Sequence, residues 1–518
     1  MTTGIHHVTL ITRKVQANVD FYAGFLGLRL VKQTGGYEDA EQLHLFYGDQ
    51  LGSPGSLVTF LVWEDGAPGR TGHGQVGEIA LAVPADSIGT WLTRAMSAHV
   101  PVEGPSHEFG ETVLRLHDPD GVIVKLVGVD LPAAAPLPDP IAPTRVRAVT
   151  ILTETPEETA EFAARFGYAP QNSEGNTRRL VSDSDVLDIR NVKGYFPSIP
   201  GTGIFDHVAF RAPDVEAVRQ MRLSFKNHPT VTPVHDRKYF LSLYVREPGG
   251  TLIEYATDGP GFTVDEAAEH LGETLFLPPD SWKREADLRV LMPQFARPGA
   301  PRRPARDLPF VHRFYEPEAP DGSVLLLLHG SGGNETDLLA MAHRIAPHAT
   351  LLGLRGRSVE EGHPRWFRRL DTGGYDQDDI RAEAEAFAAF LEGAARSYGI
   401  DLSQLTVLGY SNGANFANAV MALHPGLIRR AILMRSIAPL DDLPEVSLAG
   451  AEVLMLTGTE DAFSEGAPRL ADWLTASGAA LEAENLATGH GLGALDEQHA
   501  RDWLERHPPE VEAPLVFS

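Results

Sequence analysis

Glu247-Pro-Gly-Gly-Thr-Leu-Ile-Glu254 joins a tight turn to a strand-like run of alternating residues, and Asp118-Pro-Asp-Gly-Val-Ile-Val-Lys125 repeats this pattern earlier in the chain. A Gly after Pro-Asp or Pro-Gly suits a tight turn, and the strand after it alternates between two faces. The repetition indicates that the first half of the chain consists of copies of one structural unit.

Four strand-like segments mark the beginnings of these units. Each carries one ionisable or small residue followed by alternating β-formers, and they are His7-Val-Thr-Leu10, Glu78-Ile-Ala-Leu81, Ala148-Val-Thr-Ile151 and His207-Val-Ala-Phe210. A helical stretch follows each segment, at residues 19–26, 87–96, 155–166 and 215–225. We therefore predict an α+β domain of four βαβββ modules that form two curved sheets, each able to enclose a pocket. The predicted modules span residues 1–65, 66–135, 143–197 and 200–262, with a tail at 263–295.

A histidine occupies the shared strand position in only two of the modules. His7 and His207 occupy the same strand position in the first and fourth modules, and Glu254 lies on the closing strand of the fourth. If these modules pack together, two imidazoles and one carboxylate share a pocket and leave coordination positions open, as in non-haem Fe(II) oxygenases.

The remaining equivalent positions carry other chemistry. Glu78 and Lys125 belong to the second module, and Ala148 begins the third. Thr59 and Asp188 are less direct equivalents of Glu254 in the first and third modules. The second pocket is therefore predicted to hold a charged cluster rather than a metal ion.

Residues 4–295 resemble the vicinal oxygen chelate (glyoxalase/bleomycin-resistance) superfamily, and within it the ring-cleaving hydroquinone dioxygenases. The segments that carry the resemblance are Gly4-Ile-His-His-Val-Thr-Leu10, Phe205-Asp-His-Val-Ala-Phe210 and Asp236-Arg-Lys-Tyr-Phe-Leu-Ser-Leu-Tyr-Val-Arg-Glu-Pro-Gly-Gly-Thr-Leu-Ile-Glu-Tyr-Ala-Thr-Asp258. The resemblance implies Fe(II), with Mn(II) as the alternative, bound by His7, His207 and Glu254.

The same resemblance assigns roles around the metal. It implies that Arg237 and Tyr244 contact the substrate, and that His6 and Thr9 lie beside the ligands or in the pocket. Asp206 stands where this branch often has a histidine, which leaves the preferred ring open. The implied reaction is ring opening by O2 to a semialdehyde or acid.

A second set of motifs follows residue 307. Ser323-Val-Leu-Leu-Leu-Leu-His-Gly-Ser-Gly-Gly-Asn334 is an apolar strand ending in a loop whose backbone amides suit an oxyanion. Leu405-Thr-Val-Leu-Gly-Tyr-Ser-Asn-Gly-Ala-Asn415 places Gly-x-Ser-x-Gly between a strand and a helix. Such apolar strands alternating with long helical patterns predict an α/β-hydrolase domain over residues 307–518, which resembles carboxylesterase/phospholipase-type serine hydrolases.

The catalytic residues of this domain follow from their order along the chain. Ser411, Asp461 and His490 come in the sequence that this fold uses for nucleophile, orienting acid and base. The amides of Ser331 and Asn412 are predicted to bind the oxyanion. The rivals are Glu460 for the acid and His363 or His499 for the base. The segment Arg365-Trp-Phe-Arg-Arg-Leu-Asp371 is either part of an acyl pocket or an amphipathic surface segment.

Composition limits the remaining possibilities. The chain has 518 residues, no Cys and a formal charge of −26, which argues against nucleic acid or an anionic membrane as partner and excludes thiolate chemistry. Residues 296–306 combine Arg and Pro without apolar periodicity and read as a linker. Residues 1–7 carry neither a basic nor an apolar signal region, so we expect a cytoplasmic protein. Self-association stays open.

The function favoured by these patterns is a bifunctional enzyme. A metal-dependent dioxygenase would open a hydroquinone- or catechol-type ring with O2, and a fused serine hydrolase would act on an ester or on the ring-cleavage product. Two alternatives keep the hydrolase as an active carboxylesterase. They make the first half a glyoxalase-like isomerase or lyase, or a non-catalytic module that binds a ligand. Thr59 disfavours the isomerase, which generally needs a fourth protein ligand.

Overall fold

The computed structural model describes residues 3–302, 307–371 and 373–508, and the chain divides into two compact units. One unit consists of residues 1–283 and 295–301, and the other of residues 284–294 and 302–518. Of the predicted linker, residues 303–306 lie outside the described residues.

The first unit contains four βαβββ modules, each with a leading strand, a helix and three further strands. The bounds, module by module, are β1 (Ile5–Thr12), α1 (Val15–Val19), β2 (Arg29–Gly35), β3 (Leu43–Gly48) and β4 (Leu57–Val62); β5 (Gln75–Val83), α2 (Ile88–Ser97), β6 (Val102–Glu108), β7 (Glu111–His117) and β8 (Ile123–Gly128); β9 (Arg145–Thr153), α3 (Pro156–Ala164), β10 (Ala169–Glu174), β11 (Thr177–Val181) and β12 (Val186–Asn191); and β13 (Ile204–Ala212), α4 (Val215–Ser224), β14 (His235–Asp236), β15 (Phe240–Arg246) and β16 (Leu252–Pro260). The predicted fold class is confirmed.

Two sheets pair the modules in a way that sequence alone left open. The first and fourth modules share a nine-stranded sheet in the order β14-β15-β16-β13-β1-β4-β3-β2-β17, where β17 is Leu275–Phe276. The second and third share an eight-stranded sheet in the order β10-β11-β12-β9-β5-β8-β7-β6. The leading strands therefore pair in the middle of each sheet, which places inward side chains of two modules in one pocket.

Two local predictions differ from the structure. The helix expected at 19–26 is instead the short α1 followed by one π-helical turn at Asp20–Phe25, in which the amide of Leu26 bonds the carbonyl of Phe21. The expected tail, residues 263–295, is divided: α5 (Glu285–Leu291) groups with the second unit because Val290 is buried in that unit's core.

The second unit is built on a seven-stranded sheet in the order β18-β20-β19-β23-β24-β25-β26, parallel except for β18. Its elements are β18 (His312–Tyr315), β19 (Val324–Leu328), α6 (Leu339–Ile345), β20 (Thr350–Leu354), β21 (Ser358–Glu360), β22 (His363–Arg365), α7 (Gln377–Tyr398), β23 (Leu405–Tyr410), α8 (Asn412–Leu423), β24 (Arg430–Met434), β25 (Glu452–Gly458), α9 (Ala467–Ala476), β26 (Ala480–Leu486) and α10 (Ala494–Arg506). The arrangement is the predicted α/β-hydrolase fold.

Apolar packing in this unit distinguishes between the two alternatives for the segment 365–371. Trp366 and Phe367 are fully buried in the core, where Trp366 stacks on Phe416 of α8. The following residues, Arg368 to Asp371, are exposed, so of the two alternatives the structure fits the amphipathic surface segment rather than rings lining an acyl pocket. Within residues 3–302, 307–371 and 373–508, none of the helices combines the length and apolar character that a bilayer crossing requires.

Candidate active sites

Three potential metal ligands converge at the centre of the nine-stranded sheet. His7 lies on β1, His207 on β13 and Glu254 on β16, and β13 pairs with both other strands. The Nε2 atoms of His7 and His207 are 3.3 Å apart, and each lies 3.0 Å from Glu254 Oε2. All three side chains are buried, with Glu254 completely inaccessible. The three residues predicted as a ligand set thus face one point.

The chemistry of this cluster suits a divalent cation. Neither oxygen of the Glu254 carboxylate has a hydrogen-bond partner of good geometry, although a buried carboxylate without a partner is strongly unfavourable. Burial alone would raise its pKa, but the nearby His7 and His207 outweigh burial and hold it well below its usual range. Two imidazole nitrogens and an ionised carboxylate at this spacing fit a site for a metal with open positions.

Each histidine has a partner on the ring nitrogen that faces away from the cluster. His207 Nδ1 bonds Asp206 Oδ2 at 2.6 Å, and His7 Nδ1 lies 2.9 Å from His6 Nδ1. Burial and then the proximity of His7 lower the pKa of His6 to about 3, so its neutral ring can accept the proton of His7. These bonds leave both Nε2 lone pairs directed at the cluster, the usual way in which outer partners orient metal-binding imidazoles.

Tyr244 and Arg237 lie on one side of the cluster. Tyr244 on β15 is the register partner of Glu254, and its ring centroid is 5.4 Å from that of His207. Burial and then the charge of Glu254 raise the pKa of Tyr244 well above its usual value. The Arg237 guanidinium carbon lies 5.6 Å from the Tyr244 ring centre, and its Nη2 is 3.0 Å from Glu38 Oε1.

A hydroxyl chain on the other side brings in a residue that the sequence analysis missed. Thr9 Oγ1 lies 3.0 Å from His207 Nε2 and 2.9 Å from Thr59 Oγ1, and Thr59 Oγ1 lies 3.0 Å from His44 Nε2. Burial and the nearby ligand histidines lower the pKa of His44 to about 3, so its ring is neutral. The two-residue alternation of side chains along β3 could have identified His44 from the sequence. It places His44 on the same face as Phe46, which lies opposite Thr59.

The eight-stranded sheet carries charged groups at the corresponding positions. Lys125 Nζ lies 2.9 Å from both Glu78 Oε2 and Glu108 Oε2, while Arg179 makes two 2.8 Å contacts with Asp188. Of these residues, Glu108 and Asp188 line a cavity of about 480 Å³. A lysine ammonium thus occupies the centre of a carboxylate pair in this sheet.

The second unit positions Ser411 at the turn between β23 and α8. Ser411 has a φ of 49°, a left-handed conformation that exposes the side chain at the end of the strand. A Cβ at position 413 would lie 2.2 Å from the carbonyl oxygen of Leu328, and one at 409 would lie 2.7 Å from Ala414 Cα. Only glycine at Gly409 and Gly413 permits this close packing of the turn on the sheet.

Ser411, His490 and Asp461 form a continuous hydrogen-bonded chain. Ser411 Oγ lies 3.0 Å from His490 Nε2, and His490 Nδ1 lies 2.9 Å from Asp461 Oδ2. The other carboxylate oxygen of Asp461 accepts the amide of Phe463, which fixes its orientation. The rivals lie elsewhere: Glu460 is exposed, and His499 pairs with Glu484.

Of the two predicted oxyanion donors, Asn412 directly follows Ser411. Asn412 is the first residue of α8, where an amide has no partner within the helix, and its side chain accepts the amide of Trp366 at 2.9 Å. Ser331 lies in the loop after β19, which is held by a bond from the Gly332 amide to Pro364. His363, the remaining rival base, is exposed at the start of β22, whereas the imidazole that bonds Ser411 Oγ is that of His490.

The chain is similar to known proteins of the dioxygenase class. Residues 4–126 match the model of the Glyoxalase/Bleomycin resistance protein/Dioxygenase superfamily. The chain is 37% identical over 287 residues to the "Putative ring-cleaving dioxygenase MhqO" of Bacillus subtilis, covering 54% of this chain and 91% of that protein. It is 32% identical over 295 residues to the "Chlorohydroquinone/hydroquinone 1,2-dioxygenase" of Sphingobium indicum, covering 53% of this chain and 91% of that protein.

The chain is also similar to a hydrolase and to a dioxygenase of known crystal structure. The chain is 35% identical over 197 residues to the "Putative hydrolase MhqD" of Bacillus subtilis, covering 38% of this chain and 98% of that protein. The crystal structure of a "putative dioxygenase" from Bacillus subtilis superposes with a TM-score of 0.54 at 34% identity, covering 57% of this chain and 98% of that one. The chain therefore belongs to the glyoxalase/bleomycin resistance protein/dioxygenase superfamily, among its ring-cleaving dioxygenases, and carries in addition a hydrolase of the MhqD family.

Proposed function

We propose that the chain is a bifunctional enzyme, with an extradiol-type Fe(II) dioxygenase in residues 1–295 and a serine hydrolase in residues 307–518. The dioxygenase would open a hydroquinone- or catechol-type ring with O2. The hydrolase would cleave an ester or the ring-opened product. The observation that carries the proposal is the pair of separate clusters, His7–His207–Glu254 and Ser411–His490–Asp461. The hydroquinone in the Sphingobium relative's name supports the substrate class.

In this proposal His7, His207 and Glu254 hold Fe(II), with Mn(II) as the alternative. When bound, the reduced metal supplies electron density to O2 and stabilises the phenolate form of the ring. His6 and Asp206 keep the two imidazoles oriented by bonding their Nδ1 atoms. At position 206 this branch often has a histidine, which is neutral when it accepts a hydrogen bond. The carboxylate of Asp206 instead adds negative charge beside His207, and this charge favours electron donation by the site.

Tyr244 and Arg237 act on the aromatic substrate. A buried phenol with a raised pKa stays protonated, so Tyr244 can donate a hydrogen bond to a phenolate oxygen at the cluster. Arg237, whose guanidinium lies over the Tyr244 ring, stabilises the negative charge that develops on the ring. Thr9 and Thr59, which are hydrogen-bonded to each other, place two hydroxyl groups on the side of the cluster away from Tyr244.

In the second unit, Ser411 attacks the acyl carbon while His490 accepts its proton and Asp461 stabilises the resulting imidazolium. The amides of Ser331 and Asn412 bind the oxyanion. Phe463 lies beside the base, with its ring centroid 5.1 Å from that of His490 and 69% of its surface exposed. This exposed ring provides an apolar rim for the leaving group of an ester.

The isomerase alternative loses support because Thr59, at the position equivalent to Glu254, offers only a hydroxyl that bonds Thr9 and His44. The cytoplasmic location and the absence of nucleic-acid and membrane partners stay predictions, and association between copies stays open.

One tightly bound divalent ion per chain is the expected metal content. Lys125 fills the space between Glu78 and Glu108 in the second sheet with its own charge, so only the nine-stranded sheet should bind a cation. We would load the protein with Fe(II) under nitrogen, desalt it and count metal by mass spectrometry. Two ions that resist desalting would contradict the assignment of one metal centre per chain.

Oxygen uptake with a panel of rings tests the proposed reaction. The Fe(II)-loaded protein should consume O2 with hydroquinone, methylhydroquinone or chlorohydroquinone, and one O2 should disappear for each ring opened because both oxygen atoms enter the product. Catechol is the comparison ring, since it distinguishes an adjacent pair of hydroxyls from an opposed pair. The absence of uptake with every ring, while a nitrophenyl ester is still hydrolysed, would favour a non-catalytic first unit.

A further inference from the structure

Arg435 is a buried arginine immediately after β24, and neither proposed reaction uses it. Its side chain is completely inaccessible, and its φ of 56° is left-handed. A guanidinium buried so deeply is costly unless its five N–H groups find acceptors. The destinations of these N–H groups therefore indicate what the residue does.

Three of the acceptors belong to the loop that carries His490. Arg435 Nε donates to the carbonyl of Gly489 at 2.9 Å, and Nη2 donates to Thr488 Oγ1 at 2.9 Å and to the carbonyl of Gly491 at 3.2 Å. The bonds reach the residues on both sides of His490. In a glycine-rich loop with little intrinsic rigidity, they fix the backbone from which the imidazole projects.

The guanidinium is itself held by a carboxylate. Arg435 Nη1 and Nη2 bond Asp496 Oδ1 and Oδ2 at 2.7 and 3.0 Å, and the Asp496 side chain is also inaccessible. Asp496 Oδ2 in addition accepts the amide of Gly493 at 2.9 Å, at the start of α10. The two-pronged geometry ties the orientation of the guanidinium plane to a helix of the fold, which a lysine ammonium cannot do.

The backbone of Arg435 is connected to the turn that carries Ser411. The amide of Ser411 bonds the carbonyl of Met434 at 2.8 Å, and the amide of Arg435 bonds the carbonyl of Leu456 on β25 at 2.9 Å. The backbone of Arg435 thus lies next to the strand end that bonds the nucleophile, and its guanidinium bonds the loop of the base.

We propose that Arg435 is a positioning residue of the hydrolase, which holds the loop 488–491 so that His490 Nε2 stays within hydrogen-bond reach of Ser411 Oγ. This inference rests on the proposed hydrolase function. Burial of an ion pair contributes little net stability compared with apolar packing. Stability alone therefore does not explain why five of the six side-chain bonds of Arg435 go to this loop and Asp496, with only a 3.5 Å bond from Nη1 to the carbonyl of Leu456 going elsewhere.

The test compares Arg435→Lys with Arg357→Lys on a 4-nitrophenyl ester. Arg357 makes an equally two-pronged pair with Glu383, at 2.9 Å for both bonds, on α7. Reactive Ser411 sites are counted by stoichiometric labelling with a fluorophosphonate, so that kcat is expressed for each intact site. A displacement of the base on the order of 1 Å lowers rates about 100-fold. We expect kcat per site and the labelling rate to fall by about 10- to 100-fold in Arg435→Lys, with KM nearly unchanged, and to stay the same in Arg357→Lys.

Two outcomes would overturn the proposal. A normal kcat per site with fewer labelled sites would make Arg435 a stability residue only. If Arg435→Lys yields no labelled sites, the decisive comparison is between Thr488→Ala, which removes one acceptor of the guanidinium, and Thr488→Ser, which keeps it. Equal kcat per site in these two variants would reject the positioning role. Hydrolysis that survives Ser411→Ala would instead reject the proposed hydrolase chemistry, which separates the two failures.

Discussion

Replacing Glu254 by glutamine should abolish metal binding and oxygen uptake together while leaving ester hydrolysis intact. The substitution keeps the shape of the side chain but removes the only carboxylate of the cluster, which both histidines approach at 3.0 Å. Losing an outer partner of a metal ligand costs about 10- to 100-fold in affinity or activity, so losing a ligand should cost more. We expect His7→Ala to behave in the same way.

The control is Asp188→Asn in the second sheet. Asp188 is also a buried carboxylate on a closing strand, and it is neutralised by Arg179. This variant should lose stability, because the buried guanidinium of Arg179 loses its two-pronged ionised partner and keeps only the 2.9 Å pair with Glu111. It should nevertheless bind one metal per folded chain and retain oxygen uptake. Uptake that persists in Glu254→Gln at more than about one tenth of the normal rate would contradict the assignment of Glu254 as a ligand.

The repeat and its metal-binding side chains were predictable because they depend on local pattern. A turn after Pro-Asp or Pro-Gly and the two-residue alternation of strands fix which side chains share a face. Which two modules share a sheet is a long-range matter, since it depends on the pairing of β1 with β13. From the sequence alone, the convergence of His7 and His207 was therefore conditional on their modules packing together.

The missed residues are those whose role depends on contacts far along the chain. His44 lies in an ordinary-looking strand and acquires its place through Thr59 and Thr9. Arg435 follows an apolar strand and reads as the end of a β-element, while its acceptors in the loop of His490 and at Asp496 lie 53 to 61 residues later. The boundary at α5 escaped prediction for a similar reason, because Val290 is buried only by the core of the second unit.

Replacing Ser411 by alanine should lower ester hydrolysis by about 10⁴-fold or more and leave oxygen uptake unchanged. The nucleophile and base act as one unit, so removing either member eliminates nearly all of the catalysis that the three residues provide. Asp461→Asn should hydrolyse the ester about 10⁴-fold more slowly, because the amide no longer favours the histidine tautomer that accepts a proton from serine. Ser403→Ala, an exposed serine just before β23, is the matched control and should hydrolyse the ester at the normal rate.

The Ser411→Ala variant also decides what the hydrolase is for. If the hydrolase acts on the ring-opened compound, Ser411→Ala supplied with a hydroquinone should take up O2 at the normal rate and accumulate the ring-cleavage product, which the unaltered protein converts further. If it acts on an ester precursor, both proteins should release the same final product from a free hydroquinone, and only the unaltered protein should take up O2 when given the ester. Esterase activity that survives in Ser411→Ala would place the nucleophile elsewhere, despite the 3.0 Å contact between Ser411 Oγ and His490 Nε2. Because the two clusters use different residues and different chemistry, loss of one activity without the other is the outcome that their separate geometry requires.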